Sequence, residues 1–224
     1  MERYEFVTKK KGFKSFIENI SLTNKLIIVN TFLFILFTLL IDLKVIGLNF
    51  VALNPYNFLH GKNVWTILTS MFMHANFLHL FVNMLTLFFI GVLIEKIIGR
   101  KRYLWFYLIS GLFSGLLFVL SGFISPSSMA SYAVGASGAL FGLIGLLIIL
   151  TPNLPVYIMF IPIPVKMKYA GPGMLVLLWL MSISFGLPIG NFAHLGGLIA
   201  GLIYGFYLKN KFPNKIKYIS RQFS

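Results

Sequence analysis

Long uncharged stretches dominate the pattern of hydrophobic and polar positions along this chain. Residues 103–165 contain no Asp, Glu, Lys or Arg, and neither do residues 169–208. A helix of about 20 apolar residues crosses the ~30 Å hydrocarbon core of a bilayer and satisfies its own backbone hydrogen bonds. Apolar runs that end at charges or at Pro and Gly predict spans at 26–41, 77–94, 103–123, 134–151, 169–187 and 191–208. The pattern therefore predicts an all-α membrane protein, a bundle of six transmembrane helices.

The same pattern predicts one membrane domain with two basic flanks. We expect a basic N-terminal segment at 1–25, the six-span domain at 26–208 and a basic tail at 209–224. The lead before the first span has no signal-peptide cleavage pattern, so we expect that span to be retained. No soluble module and no seventh span are predicted.

Composition and charge agree with a membrane protein and predict its orientation. The chain is 58% hydrophobic and 11% charged, with a net charge of +14. If the N-terminus is cytoplasmic, 17 of the 19 Lys and Arg residues fall on cytoplasmic segments, and only Lys44 and Lys62 do not. The positive-inside rule therefore predicts that both termini are cytoplasmic. Basic residues in short flanks indicate a lipid bilayer surface as their partner, and not nucleic acid.

Four polar residues on three of the predicted spans are candidates for chemistry. His79 and Asn83 lie near the start of the second span, Ser137 near the start of the fourth and His194 near the start of the sixth. These three spans all enter from the exterior face, so the four side chains should lie at similar depth. Polar groups inside the hydrocarbon region are costly and commonly functional.

Glycine faces indicate how Ser137 and His194 could meet. The sixth span carries glycines on the face of His194, and the fourth carries a similar face beside Ser137: Gly197, Gly201 and Gly205, then Gly138, Gly142 and Gly145. Small residues let membrane helices approach closely. The alternative is that these glycines only pack helices. Other serines in the spans are expected to bond back to a carbonyl of their own helix: Ser110, Ser114, Ser182 and Ser184.

Together the four residues suggest a nucleophile, a base and donors to an oxyanion. An imidazole can accept a hydroxyl proton near neutral pH, which makes His194 the candidate base for Ser137. His79 and Asn83, four residues apart on one helix, could donate to the oxyanion. Their alternative is an interhelical hydrogen bond, worth about 0.6 kcal/mol on average in membranes.

The acids and the missing motifs narrow the chemistry further. None of the five acids lies at the depth of Ser137, so the sequence predicts a Ser–His dyad without an acid. Glu95 is expected to be structural. The chain has no His-Glu-x-x-His stretch and no cysteine, so we expect no zinc, no cofactor and no thiolate chemistry.

The chain resembles the rhomboid intramembrane serine proteases over residues 65–208. The resemblance rests on His79-x-x-x-Asn83, on Gly-Ala-Ser137-Gly and on Ala-His194-x-x-Gly-x-x-x-Gly, in this order. It implies a six-helix bundle with a water-filled cavity open to the exterior. It also implies that Ser137 is the nucleophile and His194 the base, with His79, Asn83 and the Ser137 backbone N–H holding the oxyanion.

The resemblance assigns places to further residues and shows one departure. Phe141 matches an aromatic that lies against the histidine base, and His74 matches a further histidine before the second span. Glu95 matches a structural acid. The family often carries Trp-Arg in the first exterior loop, whereas this chain has Trp65 followed by Thr66. The anchoring of that loop is therefore an open point.

The resemblance implies an endopeptidase that cleaves transmembrane segments of membrane proteins. The substrate helix would enter past the exterior half of the fifth span, around Trp179, Met181 and Phe185. Its partners would be transmembrane protein substrates and the bilayer, in a cell membrane, expected to be a prokaryotic plasma membrane. One alternative is a catalytically inactive rhomboid-like protein that binds membrane clients. The other is a small transporter or channel, which would predict broken helices or inverted repeats.

Overall fold

The computed structural model describes residues 20–158, 162–187 and 189–223. Most of the predicted basic N-terminal segment, residues 1–19, lies outside the described residues, and with it lie Glu2, Glu5 and Glu18. The predicted division into one membrane domain and two flanks stays a prediction.

Helices make up most of the described chain, with one short two-stranded sheet. The α-helices there are α1 Leu22–Asp42, α2 Pro55–Leu59, α3 Thr66–Thr69, α4 Phe77–Ile98, α5 Arg100–Ser121, α6 Pro126–Ala130, α7 Ser137–Leu150, α8 Met167–Phe185, α9 Asn191–Lys211 and α10 Pro213–Arg221. A π-helical turn, Leu87–Gly91, interrupts α4, and 3₁₀ turns occupy Leu48–Phe50 and Gly122–Ile124. The strands β1 Pro155–Val156 and β2 Val165–Lys166 pair antiparallel, in the proline-rich stretch where no regular helix was predicted.

Five of the described helices, α1, α4, α5, α8 and α9, are long and apolar enough to cross a membrane. The chain is therefore a multi-pass, mostly helical membrane protein. The predicted fourth span is the shorter α7, with 14 residues. At 1.5 Å per residue this helix is about 21 Å long. The six-span count and the cytoplasmic termini thus stay predictions.

The start of α1 explains the structural role of Glu95. α1 begins four residues before the predicted first span and reaches Asp42. The Glu95 carboxylate accepts the backbone N–H groups of Leu22 and Thr23, both at 2.9 Å. Arg100 donates to the same carboxylate at 3.0 Å. Because the first N–H groups of a helix lack partners within the helix, this acid caps α1 from α4.

Close contact between α7 and α9 forms the centre of the bundle. A Cβ added to Gly201 would lie 2.8 Å from Gly145 Cα and 2.8 Å from Leu146 N. A Cβ added to Gly197 would lie 3.1 Å from Gly142 N. An added Cβ at Gly197 would also lie 2.9 Å from the carbonyl carbon of Gly138, so no real Cβ fits at either position. The two helices therefore touch backbone to backbone, as small residues allow in membranes.

The loop between α1 and α4, predicted to be exterior, is anchored without an arginine. The indole Nε1 of Trp65 donates to the carbonyl of Phe50 at 2.9 Å, and Asn63 Nδ2 donates to the carbonyl of Asn49 at 2.9 Å. Thr66, which stands where the family often has Arg, is buried and donates to the carbonyl of Asn63 at 2.6 Å. Side-chain bonds to backbone carbonyls thus hold this loop.

Two of the expectations for serines were wrong. Ser110 bonds back to the carbonyl of Tyr107 at 3.2 Å, as expected. Ser114 instead donates to the carbonyl of Ala193 on α9 at 2.7 Å, and Ser182 donates forward to the carbonyl of Leu187 at 2.9 Å. In each case the hydroxyl binds a carbonyl outside its own helix, at the start of α9 for Ser114 and just after the end of α8 for Ser182. The expectation for Ser184 stays a prediction.

Candidate active site

A cavity of about 520 Å³ lies between α4, α5, α7 and α9 and the loops that precede α4 and α7. Its lining includes Ser137, His194 and His79, together with His74, Gly135 and Ser114. Three of the four predicted site residues therefore face one space. Asn83, the fourth, does not line it.

The structure brings Ser137 and His194 into contact although 57 residues separate them. Ser137 Oγ lies 2.8 Å from His194 Nε2. Ser137 is the first residue of α7, and His194 lies in the first turn of α9. The two helix starts are adjacent because the glycine faces of α7 and α9 pack together. A hydroxyl at hydrogen-bond distance from an imidazole is the arrangement that activates a serine.

The imidazole of His194 is fixed by packing. Its side chain is 7% exposed. Phe141, one turn after Ser137, stacks on it with ring centroids 4.7 Å apart and planes at 23°. The other ring nitrogen, Nδ1, has no hydrogen-bond partner within the described residues. Neither described carboxylate, that of Asp42 or that of Glu95, bonds to it.

Gly135 leaves room for His79 next to the serine. Gly135 has φ +120°, a conformation that side-chain-bearing residues rarely adopt. A Cβ at this position would lie 2.8 Å from His79 Cε1 and 2.9 Å from its Nε2. The Gly135 N–H donates to the carbonyl of Ser70 at 2.8 Å, which holds the strained loop in place. Glycine is thus required both by the backbone and by the neighbouring ring.

The hydrogen bonds of His79 assign its tautomer. Its Nδ1 accepts the backbone N–H of Ala75 at 3.3 Å, so the proton of the neutral ring is on Nε2. Asn76 caps α4 by accepting the His79 N–H at 2.8 Å. The Nε2–H group is therefore a donor on the side of the ring that faces Gly135 and the cavity.

His74 supports the loop that leads into α7. Its side chain is fully buried, and its Nε2 accepts the backbone N–H of Ala136 at 3.4 Å. Burial, helped by the nearby His79, lowers the pKa of His74 to about 3. The ring is thus neutral at physiological pH and able to accept this bond. His74 positions the residue immediately before Ser137.

Asn83 does not face the cavity, although the sequence predicted that it would donate to the oxyanion there. Its side chain is 4% exposed, and Nδ2 donates to the carbonyl of His79 at 2.7 Å. An amide nitrogen carries two N–H groups, so one donor remains after this bond. The structure thus brings Asn83 beneath His79 and not to the cavity wall.

Two buried polar residues beside the site were missed by sequence reasoning. Ser114 binds the backbone next to His194 and lies against Gly138, whose added Cβ would be 2.7 Å from Ser114 Cβ. The spacing of Ser110 and Ser114 is a small-xxx-small pattern, which could have marked a helix interface. Asn191, at the start of α9, is also buried, and the pattern of apolar residues gives no signal for it.

Comparison with known proteins gives the family. A sequence model of the Rhomboid domain matches residues 61–211. The chain is 36% identical over 160 residues to RHOMBOID-like protein 1 of Arabidopsis thaliana, which covers 69% of this chain and 37% of that protein. It is 28% identical over 155 residues to Rhomboid-like protease 3 of Toxoplasma gondii, and the match covers 69% of this chain and 56% of that protein. It is 29% identical over 151 residues to Rhomboid protein 1, mitochondrial, of Saccharomyces cerevisiae, and the match covers 64% of this chain and 41% of that protein.

The chain spans between about a third and a little over half of the length of these relatives. The matched region nevertheless covers about two thirds of the chain, and it runs through α7 and α9. Since that region includes the cavity wall from Ser70 to His194, the chain belongs to the rhomboid family.

Proposed function

We propose that this rhomboid protein is an intramembrane serine endopeptidase that cleaves transmembrane segments of membrane proteins. The observation that carries the proposal is the 2.8 Å distance between Ser137 Oγ and His194 Nε2 in a cavity that water can fill. A packing serine has no need of an imidazole at its hydroxyl, whereas a nucleophile needs a base there.

In the proposed reaction, Ser137 Oγ attacks the carbonyl carbon of the scissile peptide bond. The hydroxyl proton moves to His194 Nε2, and the carbonyl oxygen becomes an oxyanion. His194 then gives this proton to the leaving amine as the C–N bond breaks and an acyl-enzyme forms. Water from the cavity loses a proton to His194 and attacks the ester, which releases the acid product and restores the Ser137 hydroxyl.

Three donors are proposed for the oxyanion. Ser137 is the first residue of α7, and backbone N–H groups in the first turn lack helical partners. His79 Nε2–H is directed to the Gly135 side of the cavity. Asn83 contributes either its remaining amide N–H to the oxyanion or its existing bond to the His79 carbonyl, which holds the backbone of His79. Such donors typically contribute about 2.7–4 kcal/mol each to the transition state.

The substrate would reach the cavity from the bilayer. Trp179 on α8 contacts Phe192 on α9, with ring centroids 5.5 Å apart, at the exterior half where substrate is expected to enter. α8 is the least enclosed of the helices beside α7, with Ile183 and Phe185 more than 70% exposed. An intact helix hides its peptide carbonyls, so segments with Gly, Pro or small residues near the exterior end are the expected substrates.

The topology and location belong to the same proposal. We infer six spans with α7 as the fourth, both termini in the cytoplasm, and a cell membrane as the site, although two similar proteins are named as mitochondrial. The chain has no cysteine, so single cysteines can report its orientation. Lys62→Cys should react with an impermeant maleimide added to intact cells, and Lys217→Cys should react only after permeabilisation. The reverse pattern would contradict the orientation.

The direct test is cleavage of a labelled transmembrane substrate by the purified protein in detergent. Wild type should cut the substrate and be labelled by a fluorophosphonate, whereas Ser137→Ala and His194→Ala should do neither. Cleavage that persists in Ser137→Ala would remove the assignment. A wild-type protein that captures the substrate without cleaving it would instead support the inactive, client-binding alternative.

A further inference from the structure

Two buried polar atoms at the start of α9 have no hydrogen-bond partner within the described residues. One is Nδ1 of His194 and the other is Oδ1 of Asn191. Each side chain is 7% exposed. Buried polar groups are paired in the great majority of cases, so two unpaired atoms three residues apart call for an explanation.

The helix geometry directs these two side chains to the same place. Residues three apart lie on one face of a helix, and long helical side chains lean back over the preceding turn. The imidazole of His194 therefore extends towards the turn that holds Asn191. The N-cap of α9 is Gly190, and no side chain caps this helix. The Asn191 amide thus has no part in starting the helix.

The two unpaired atoms are chemically complementary. For His194 to act as the base, the Ser137 hydroxyl must donate to its Nε2, 2.8 Å away, which places the hydrogen of the neutral ring on Nδ1. That Nδ1–H group is a donor, and the amide oxygen of Asn191 is an acceptor. After Ser137 gives up its proton the ring is a positively charged imidazolium. A buried charged Nδ1–H without an acceptor costs more free energy than a neutral one.

We propose that Asn191 is a positioning residue for His194, whose Nδ1–H it binds through Oδ1, directly or through one buried water. This inference rests on the proposed function of the Ser137–His194 pair. Phe141 stacks on the ring, and Nδ1 has no hydrogen-bond partner within the described residues, so no carboxylate among them competes for it. The amide fixes the tautomer that leaves Nε2 free to accept the serine proton. In many serine hydrolases an acid fixes this tautomer.

The test compares Asn191→Ala with a matched control, Asn30→Ala. Asn30 is fully buried in α1, and its Oδ1 is also unpaired, but it lies away from the cavity. Partners that orient a metal-ligating histidine from its far nitrogen are typically worth about 10- to 100-fold, and we expect a similar factor for this base. Asn191→Ala should lower kcat by that factor with little change in KM, and Asn30→Ala should lower only the melting temperature. Asn191→Asp, which keeps an acceptor oxygen, should be faster than Asn191→Ala.

A second measurement does not require activity. Ring ¹⁵N shifts of the histidines in micelles should show His194 as the Nδ1–H tautomer in wild type and a mixture of tautomers in Asn191→Ala. Unchanged kcat in Asn191→Ala, an unchanged tautomer, or an Asn191→Asp no faster than Asn191→Ala would each overturn the inference. If Ser137→Ala still cleaves substrate, the proposed function fails, and the tautomer measurement alone decides the role of Asn191.

Discussion

Replacing Gly135 by Ala tests whether the space beside Ser137 exists to hold the His79 ring. The change adds one methyl group at a position with φ +120°. That methyl would lie 2.8 Å from His79 Cε1 and 2.9 Å from Nε2, closer than real Cβ contacts allow. Either the ring or the loop must move, and the Gly135 N–H bond to Ser70 limits the movement of the loop.

The expected magnitude has two parts. A side chain held at an unfavourable φ costs about 1–3 kcal/mol of stability. Displacing the His79 ring removes one oxyanion donor, which costs about 2.7–4 kcal/mol in the transition state, a fall in kcat of about 10²- to 10³-fold. Because the first cost acts on folding and the second on turnover, the two can be measured separately.

The assay is cleavage of a transmembrane substrate, with kcat given per molecule of folded protein, beside thermal unfolding in detergent. Gly99→Ala is the matched control for strain, because Gly99 has φ +82° and no atom lies within 4 Å of its added Cβ. Gly173→Ala is the control for the methyl group itself, since nothing lies within 4 Å there and its φ is ordinary. Gly99→Ala should lose stability but keep kcat, and Gly173→Ala should keep both.

One result would refute the reasoning. If Gly135→Ala loses stability like Gly99→Ala but retains the wild-type kcat, the ring of His79 does not contribute where the geometry puts it. The role of His79 as an oxyanion donor would then have to be given up, while the Ser137–His194 pair would be unaffected.

Further variants test the other parts of the site and the scaffold. Asn83→Ala should lower kcat by up to about 10²- to 10³-fold, as for one lost donor, and unchanged kinetics would reject its role. Gly201→Val should destabilise the protein in thermal unfolding by about 1–3 kcal/mol through overpacking, and a wild-type melting temperature would contradict the close helix contact. Glu95→Gln should reduce the free energy of unfolding by about 1 kcal/mol, seen as a lower melting temperature, while kcat stays unchanged. Lost activity would show that Glu95 does more than cap a helix. For His74 the folded pKa of about 3 lies below its ordinary value of 6.5, so the unfolded chain binds the proton first as pH falls. Stability should therefore fall by up to about 1.4 kcal/mol per pH unit between those values, and His74→Gln should flatten that slope in melting curves; an equal slope would show that His74 is not responsible.

The apolar pattern predicts the helices well where lipid and charge set their ends. α8 and α9 begin within two residues of the predicted positions, because a basic flank or a Gly-Asn pair precedes each apolar run. The fourth span was predicted to start at 134, whereas α7 starts at Ser137. The preceding residues are held by a bridge from Ala133 to Leu53 and by the turn at Gly135, and such contacts between distant segments leave no local signal.

Candidate site residues could be predicted as far as helix periodicity determines their positions. Shared depth and glycine faces were enough to expect Ser137 beside His194, and the structure brings them to 2.8 Å. Periodicity does not determine which acceptor a polar side chain finds. Ser114 binds a carbonyl of another helix and Asn83 one of its own, since the choice depends on which carbonyls packing brings within reach.

The short central helix has a consequence for how the protein sits in bilayers of different thickness. Eleven of the 14 residues of α7 are buried by protein, so this helix has little lipid to match. Only 17% of the apolar window of α1, and the same share of α8, is buried, so these helices must adjust their tilt to the surrounding hydrocarbon. Hydrophobic mismatch therefore acts on the outer helices, while the depth of the serine is set by glycine contacts that no acyl chain reaches.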